Sequence, residues 1–178
     1  MTLMAGSSPA ATEWFQRATL LRREQLGRLA ALGVLVNGIS PLVHMLQCER
    51  GASNVWLCSQ GKLYAPECKA SRGLVDENLT ALQAMLKAQF PVTGSGVCER
   101  IACALLSLET LPLLRDGIDS QSITAPQAMD HYCRMLRHLL SIIPQLNDSI
   151  DDPQIAGRFV ALYSLMQSWW GKSGHSGR

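Results

Sequence analysis

Apolar residues recur at helical spacing along almost the whole chain, and this period narrows the available folds more than any other feature. Trp14, Ala18, Leu21, Gln25, Leu29 and Leu32 follow it first. Ile39, Leu42, Val43, Leu46, Ser53 and Leu57 follow it next, then Cys68, Val75, Leu79, Leu82 and Leu86. A further stripe runs through Met129, Cys133, Leu136, Leu140 and Ile143. No segment sustains the period-two alternation of a strand. The punctuation divides the pattern into pieces. Thr12 reads as an N-cap with Glu13 in the first turn, and Asn37-Gly38 reads as a break. Ser40-Pro41 is a restart signal for a helix to about Gly61. Pro66 opens a third helix that ends near Phe90 and Pro91, and residues 92–96 read as a loop. A fourth covers 97–115, with Pro112 expected to kink or end it. Thr124-Ala125-Pro126 starts a fifth, with Pro144 near its end, and Asp152-Pro153 starts a sixth. The expected fold is all-α, an up-and-down bundle of about six helices.

The 178 residues suffice for one domain with its own core. With 47% hydrophobic and 17% charged residues, the chain is expected to fold. A formal net charge of +2 is too small to draw it to nucleic acid or a membrane by electrostatics alone. No apolar run in the sequence reads as a membrane span. Residues 1–11, read as a disordered tail, lack the charged start and apolar stretch of a signal peptide. The expected location is the cytoplasm. There the six cysteines, Cys48, Cys58, Cys68, Cys98, Cys103 and Cys133, stay reduced. They form no C-x-x-C pair and have no histidine at zinc spacing, so they are expected to be small apolar fillers, with no metal or cofactor.

Arginines on the apolar stripes carry the chemical signal. Arg50 lies between Leu46 and Ser53, Arg72 between Cys68 and Val75, and Arg158 between Ile155 and Leu162. A guanidinium keeps its charge when buried and needs a partner there. Inward arginines suit a small planar anion such as carboxylate, nitrate or nitrite, because the flat fork offers paired donors. They equally suit internal ion pairs, for which Glu49, Asp76 and Asp148 are available. Arg134 and Arg137 fall off their stripe and read as surface charge.

The stretch Leu46-Gln47-Cys48-Glu49-Arg50-Gly51-Ala52-Ser53 resembles the Q-x-E-R-G-x-S signature of the nitrate- and nitrite-sensing domain family. Gly61, Arg72 and Asp76 fall where that family tends to have a glycine, an arginine and an aspartate. Asn147-Asp148-Ser149-Ile150-Asp151-Asp152-Pro153 and Arg158-Phe159-Val160-Ala161-Leu162 resemble its later helix. The resemblance covers about residues 12–167 and is similar in particular to nitrate-responsive antitermination regulators of nitrate assimilation. It implies a helical fold that binds nitrate or nitrite between helices and repositions an output module. In antitermination regulators that module is a C-terminal RNA-binding ANTAR domain. Carried to this chain, the resemblance implies Arg50 as the first anion contact. Arg72 and Arg158 follow as contacts or supports, with Glu49, Ser53 and Asp76 supporting.

After Gln167 the family pattern stops. The family's K-E-x-x-G-x-E-R-A is replaced by Ser168-Trp169-Trp170-Gly171-Lys172-Ser173-Gly174-His175-Ser176-Gly177-Arg178. With suitable synonymous codons, a one-base shift of reading frame turns this tail into E-L-V-G-Q-E-R-A-L-G, so residues 168–178 are expected to be frame-shifted. The chain is then expected to stop before a second sensor half and the output domain, and not to bind RNA itself. Trp169, Trp170 and uncovered helix faces predict self-association, a homodimer in the simplest case. The alternative is a helical interaction or dimerisation module without ligand binding. An enzyme is not expected: no phosphate loop, metal cluster or nucleophile–base pair stands at a known spacing. His44, His131 and His138 read as surface or packing residues.

Overall fold

The computed structural model describes residues 9–89 and 95–147, and every regular element among them is helical. The helices are α1 Pro9–Cys58, α2 Ala65–Gln89, α3 Ser95–Leu108, α4 Leu111–Asp119, α5 Ala125–Leu140 and α6 Ile142–Asn147. The fold is all-α, as the spacing predicts, but among the described residues the long helices number four rather than about six. Helices α1, α2, α3 and α5 have 50, 25, 14 and 16 residues, whereas α4 and α6 have 9 and 6. The helix expected to open at Asp152-Pro153 lies outside the described residues.

The difference begins at Asn37. The expected break there, with a restart at Ser40-Pro41, does not occur, and α1 runs through Pro41. A proline inside a helix costs roughly 3 kcal/mol. The surrounding stripe offsets that cost. Leu35, Val36, Ile39, Leu42, Val43 and Leu46 are all buried, each worth about 1.5–3 kcal/mol, and they share one face only if the period continues across the proline. Pro41 itself is exposed, so the carbonyl it leaves free can be hydrated. Ser40 donates its hydroxyl to the Val36 carbonyl at 2.8 Å, as a mid-helix serine rather than a cap. Gly38 acts in packing: a Cβ there would fall 2.6 Å from Met85 Sδ and 3.3 Å from Leu82 Cδ1, so its absence admits α2.

Contacts along α1 give the helix directions. Gly38 meets Met85 and Glu49 approaches Arg72, so α2 runs antiparallel. Ile39 shares a small apolar cavity with Leu139 and Ile142, and Glu49 meets Tyr132, so α5 also runs antiparallel to α1. Ile101 and Ala104 of α3 line that same cavity, while Arg115 of α4 reaches Glu49. Together α3 and α4 form one column running with α1. It is broken after Leu108, where the chain turns and α4 starts with Pro112 in its first turn. The helix expected over 97–115 is thus cut at the place Pro112 marks. The expected loop over 92–96 is shorter, since Ser95 and Gly96 already belong to α3.

Thr124 caps α5 as expected, in a capping box with Gln127 and with Pro126 in the first turn. At the other end of α1, the Gly61 N–H donates to the Trp56 carbonyl at 2.9 Å and the Gln60 N–H to that of Leu57 at 3.1 Å, a Schellman closure. Gly61 has φ +74°, and a Cβ there would also fall 3.2 Å from the Trp56 ring, so this position demands glycine.

By length and composition alone α1 could cross a membrane, contrary to the sequence expectation that no segment would. Its apolar stripe, however, is the one α2 and α5 cover, as in the central helix of a bundle. None of the six cysteines is in a disulfide, but only Cys68 is buried, and Cys48, Cys58 and Cys103 are exposed. The expectation that all six fill apolar space is corrected: Cys48 and Cys58 lie on the solvent side of α1, Cys48 at 3.9 Å from His44 one turn away.

Candidate functional site

Charge is buried where α1, α2, α4 and α5 meet. Glu49 continues the α1 stripe one turn beyond Leu46 and is 0% exposed. An unpaired carboxylate there would cost several kcal/mol, and the neighbouring helices supply its partners. Arg115 of α4 donates Nε to Oε1 and Nη2 to Oε2, each at 2.8 Å, as a planar fork on a planar carboxylate. Tyr132 of α5 donates its hydroxyl to Oε1 at 2.8 Å, and that hydroxyl lies 3.2 Å from Ser53 Oγ. Arg115 Nη1 donates to Asp76 Oδ1 at 2.8 Å, and Nη2 reaches the Arg72 carbonyl at 3.3 Å. Arg72 places both terminal nitrogens on Asp119, each at 2.8 Å. Its buried Nε has no hydrogen-bond partner among the described residues and stands 4.0 Å from Glu49 Oε1.

These partners set the protonation of the cluster. The hydrogen bonds from Arg72 hold Asp119 below the ordinary aspartate value, and the same bonds raise Arg72. Burial opposes the charge of Arg115, but its hydrogen bonds to Glu49 and Asp76 outweigh that, and its pKa rises. Burial, then the Glu49 charge, push the Tyr132 phenol up, so it remains a donor to Glu49. Burial also raises the Cys68 thiol.

The Asp119 shift has a testable consequence. A carboxylate depressed by folding contributes stability above its ordinary value of 3.8, and loses it as pH falls through the lower folded value. The side chain is 55% exposed, so screening keeps the effect small. Urea unfolding at about pH 5 and about pH 3 should show a smaller acid loss in Asp119→Asn than in the parent. An equally steep loss in the variant would assign the acid edge to another group.

Of the residues selected from sequence, the cluster brings together Arg72, Glu49, Ser53 and Asp76. Arg50 projects elsewhere: its Nη1 lies 3.6 Å from Cys133 Sγ on α5. The fully buried stripe passes through Glu49 and Ser53, with Arg50 half-buried at its edge. This corrects the placement of Arg50 on the stripe itself. After Leu46 the next turn can bury the residue three or four on, and α4 takes the first. The partner of Arg72 is Asp119, whereas Glu49 and Asp76 go to Arg115. Arg158 and Asp148 lie outside the described residues.

Arg115, Asp119 and Tyr132 escaped the sequence reading. Arg115 has the same signature as the others, since it sits on the apolar face of Leu111, Leu114 and Ile118. Tyr132 lies one turn from Ala128 and one from Leu136 on the buried face of α5, which takes Ala128 and Tyr132 in place of the predicted Met129 and Cys133 and shares Leu136 and Leu140 with the predicted stripe. The cluster holds two guanidiniums against three carboxylates, so an anion entering it would meet net negative charge.

A motif arginine is thus held half-buried between two helices of an all-helical bundle, beside an ion-paired core. The nitrate and nitrite sensing family matches residues 41–169, which include the motif and every member of the cluster. The chain belongs to this family. It is 55% identical over 167 residues to the nitrate regulatory protein of Klebsiella oxytoca, covering 94% of this chain and 42% of that protein. Its structure is similar to that of the NasR transcription antiterminator, with TM-score 0.81 and 55% identity over 89% of this chain and 43% of the other. The chain thus spans less than half the length of either relative, and both are named as regulators rather than enzymes.

Proposed function

We propose that this chain is a nitrate- or nitrite-binding part of a cytoplasmic regulator of transcription antitermination. The observation that carries the proposal is Arg50, at the centre of the family stretch, half-buried where α1 meets α5. A guanidinium there presents paired planar donors to a planar anion of one charge. Arg50 is the first contact and Arg158 the second candidate. Arg72, held by Asp119, serves as a support, with Glu49, Ser53 and Asp76 behind it. The anion favours one arrangement of the helices, and this population shift passes to an RNA-binding output such as an antiterminator carries. The four described columns act as one up-and-down bundle of the larger sensor.

Thermal unfolding in nitrate, nitrite and chloride at equal ionic strength tests this. A ligand that binds only the folded chain, at a hundred times its Kd, adds about 2.7 kcal/mol and should raise the midpoint by about 5–10 °C. Cooperative unfolding with the same midpoint in nitrate and chloride would overturn the reading. A second reading is an interaction or homodimerisation module without ligand. Trp14, Phe15, Leu20, Leu21 and Leu26, all between 53% and 72% exposed on the N-terminal half of α1, favour it. A nitrate-selective rise that disappears in Arg50→Ala would remove it as the main function.

A further inference from the structure

Two neighbouring residues of α1 meet two neighbouring residues of α5. Glu49 accepts the Tyr132 hydroxyl at 2.8 Å, and Arg50 reaches the Cys133 thiol at 3.6 Å. Glu49 is gripped on both oxygens, by Arg115 from α4 and by Tyr132 from α5, and it is fully buried. These bonds are directional, so they set both the rotation of α1 and its height against α5. The backbone of Arg50 is one residue further along the same rigid helix, and its direction of departure follows from that of Glu49.

We infer that Glu49 is the positioning residue of the Arg50 anion site: with Arg115 and Tyr132 it fixes the register of α1 against α5, and so the point at which the Arg50 guanidinium meets its ligand. The inference rests on the reading of Arg50 as the anion contact. Stability alone is a weak reason for such a cluster, because apolar residues of similar volume often hold helices together as well as a buried ion pair does. A directional ion pair can fix one register where an apolar pair of the same volume leaves neighbouring ones open. A first contact must be held within about half an ångström to be effective, and residues behind it do the holding.

The test separates positioning from mere support of the fold. Glu49→Met combined with Arg115→Met removes both charges together and keeps volume; of the groups left behind, Tyr132 keeps Ser53 and Asp76 is exposed to water. Two readouts follow. One is nitrate affinity by calorimetry. The other needs no ligand: the rate at which iodoacetamide alkylates Cys133, followed by peptide mass spectrometry. Cys133 is half-buried and its Sγ lies 3.6 Å from Arg50 Nη1, so its alkylation rate reports where that guanidinium lies and how far it covers the thiol. Arg50→Gln in the otherwise unchanged chain sets the scale. In the folded double variant the Cys133 rate should shift about threefold or more towards the Arg50→Gln value, and the nitrate Kd should rise about tenfold or more. Tyr132→Phe removes one oxygen and should move both readouts the same way by a smaller factor; it also serves if the double variant does not fold. Folded variants with both quantities within about twofold of the parent would overturn the inference. If the parent shows no nitrate binding while the Cys133 rate still responds, Arg50 is positioned as inferred and the nitrate reading is what fails.

Discussion

Replacing Glu49 alone by alanine should cost about 3–5 kcal/mol, a large part of the roughly 5–15 kcal/mol a domain has to lose. The contact list explains the size. The substitution removes both acceptors of the Arg115 fork and the acceptor of Tyr132 in one step. Arg115, whose side chain is 14% exposed, keeps Asp76 but leaves Nε without its acceptor. Tyr132, fully buried, keeps Ser53. A cavity adds to these losses. The pair Arg134–Asp130 provides the contrast: its side chains are 51% and 67% exposed, and deleting it should cost less than about 0.5 kcal/mol. Urea unfolding followed by circular dichroism distinguishes the two. A loss below about 1 kcal/mol for Glu49→Ala would show that water takes over the orphaned donors, and the cluster would then be no joint between helices.

Removing Glu49 and Arg115 together should cost far less than removing Glu49, because the expense of a buried pair lies in leaving one partner behind. This asymmetry also explains why the sequence could not say which arginine pairs with which acid. Spacing puts Arg50 and Arg72 on the stripes with Glu49 and Asp76 as available partners, and it makes ion pairs among them as reasonable as an anion site. It cannot show that α4 brings a further guanidinium to Glu49, because that approach depends on how α3 and α4 return along α1. Arg115 carried the same stripe signature as Arg72. Pro112, which marked the end of a helix, drew attention away from the short helix it begins.

The fold was legible wherever the period and the caps agreed. Thr124 with Pro126 marked the start of α5, and Pro66 that of α2, because local chemistry and tertiary packing point the same way there. They diverged at Asn37, Gly38, Ser40 and Pro41. Each of these is a breaker by local preference, yet the six buried residues from Leu35 to Leu46 outweigh them all. Gly38 was read as a helix terminator when its use is to admit Met85. The first half of the α5 stripe was misplaced by one position for a related reason, while Leu136, Leu140 and Ile143 are buried as expected. Met129 and Cys133 look as apolar as Ala128 and Tyr132, and only the neighbouring helices decide which face is inside.

Arg50→Lys should keep the charge at this position and lose most of the nitrate response, and Arg50→Ala should lose nearly all of it. The expected Kd increases are about tenfold for lysine and about a hundredfold for alanine, equivalent to roughly 1.4 and 2.8 kcal/mol. The second figure is the usual worth of a hydrogen bond to a charged group in a sheltered site. Lysine should fall between because an ammonium is a point charge, whereas a guanidinium matches a planar anion with two parallel donors and is more weakly hydrated. Both variants should stay folded, since the shortest bonds that lock α1 to α4 and α5 run through Glu49. Calorimetry with nitrate and with chloride reads the outcome. If lysine binds nitrate as tightly as arginine, the site reads charge and not shape, and selectivity over chloride must come from elsewhere. If alanine binds as tightly as arginine, Arg50 is not the contact, and the half-buried guanidinium beside Cys133 serves only the packing of α1 on α5.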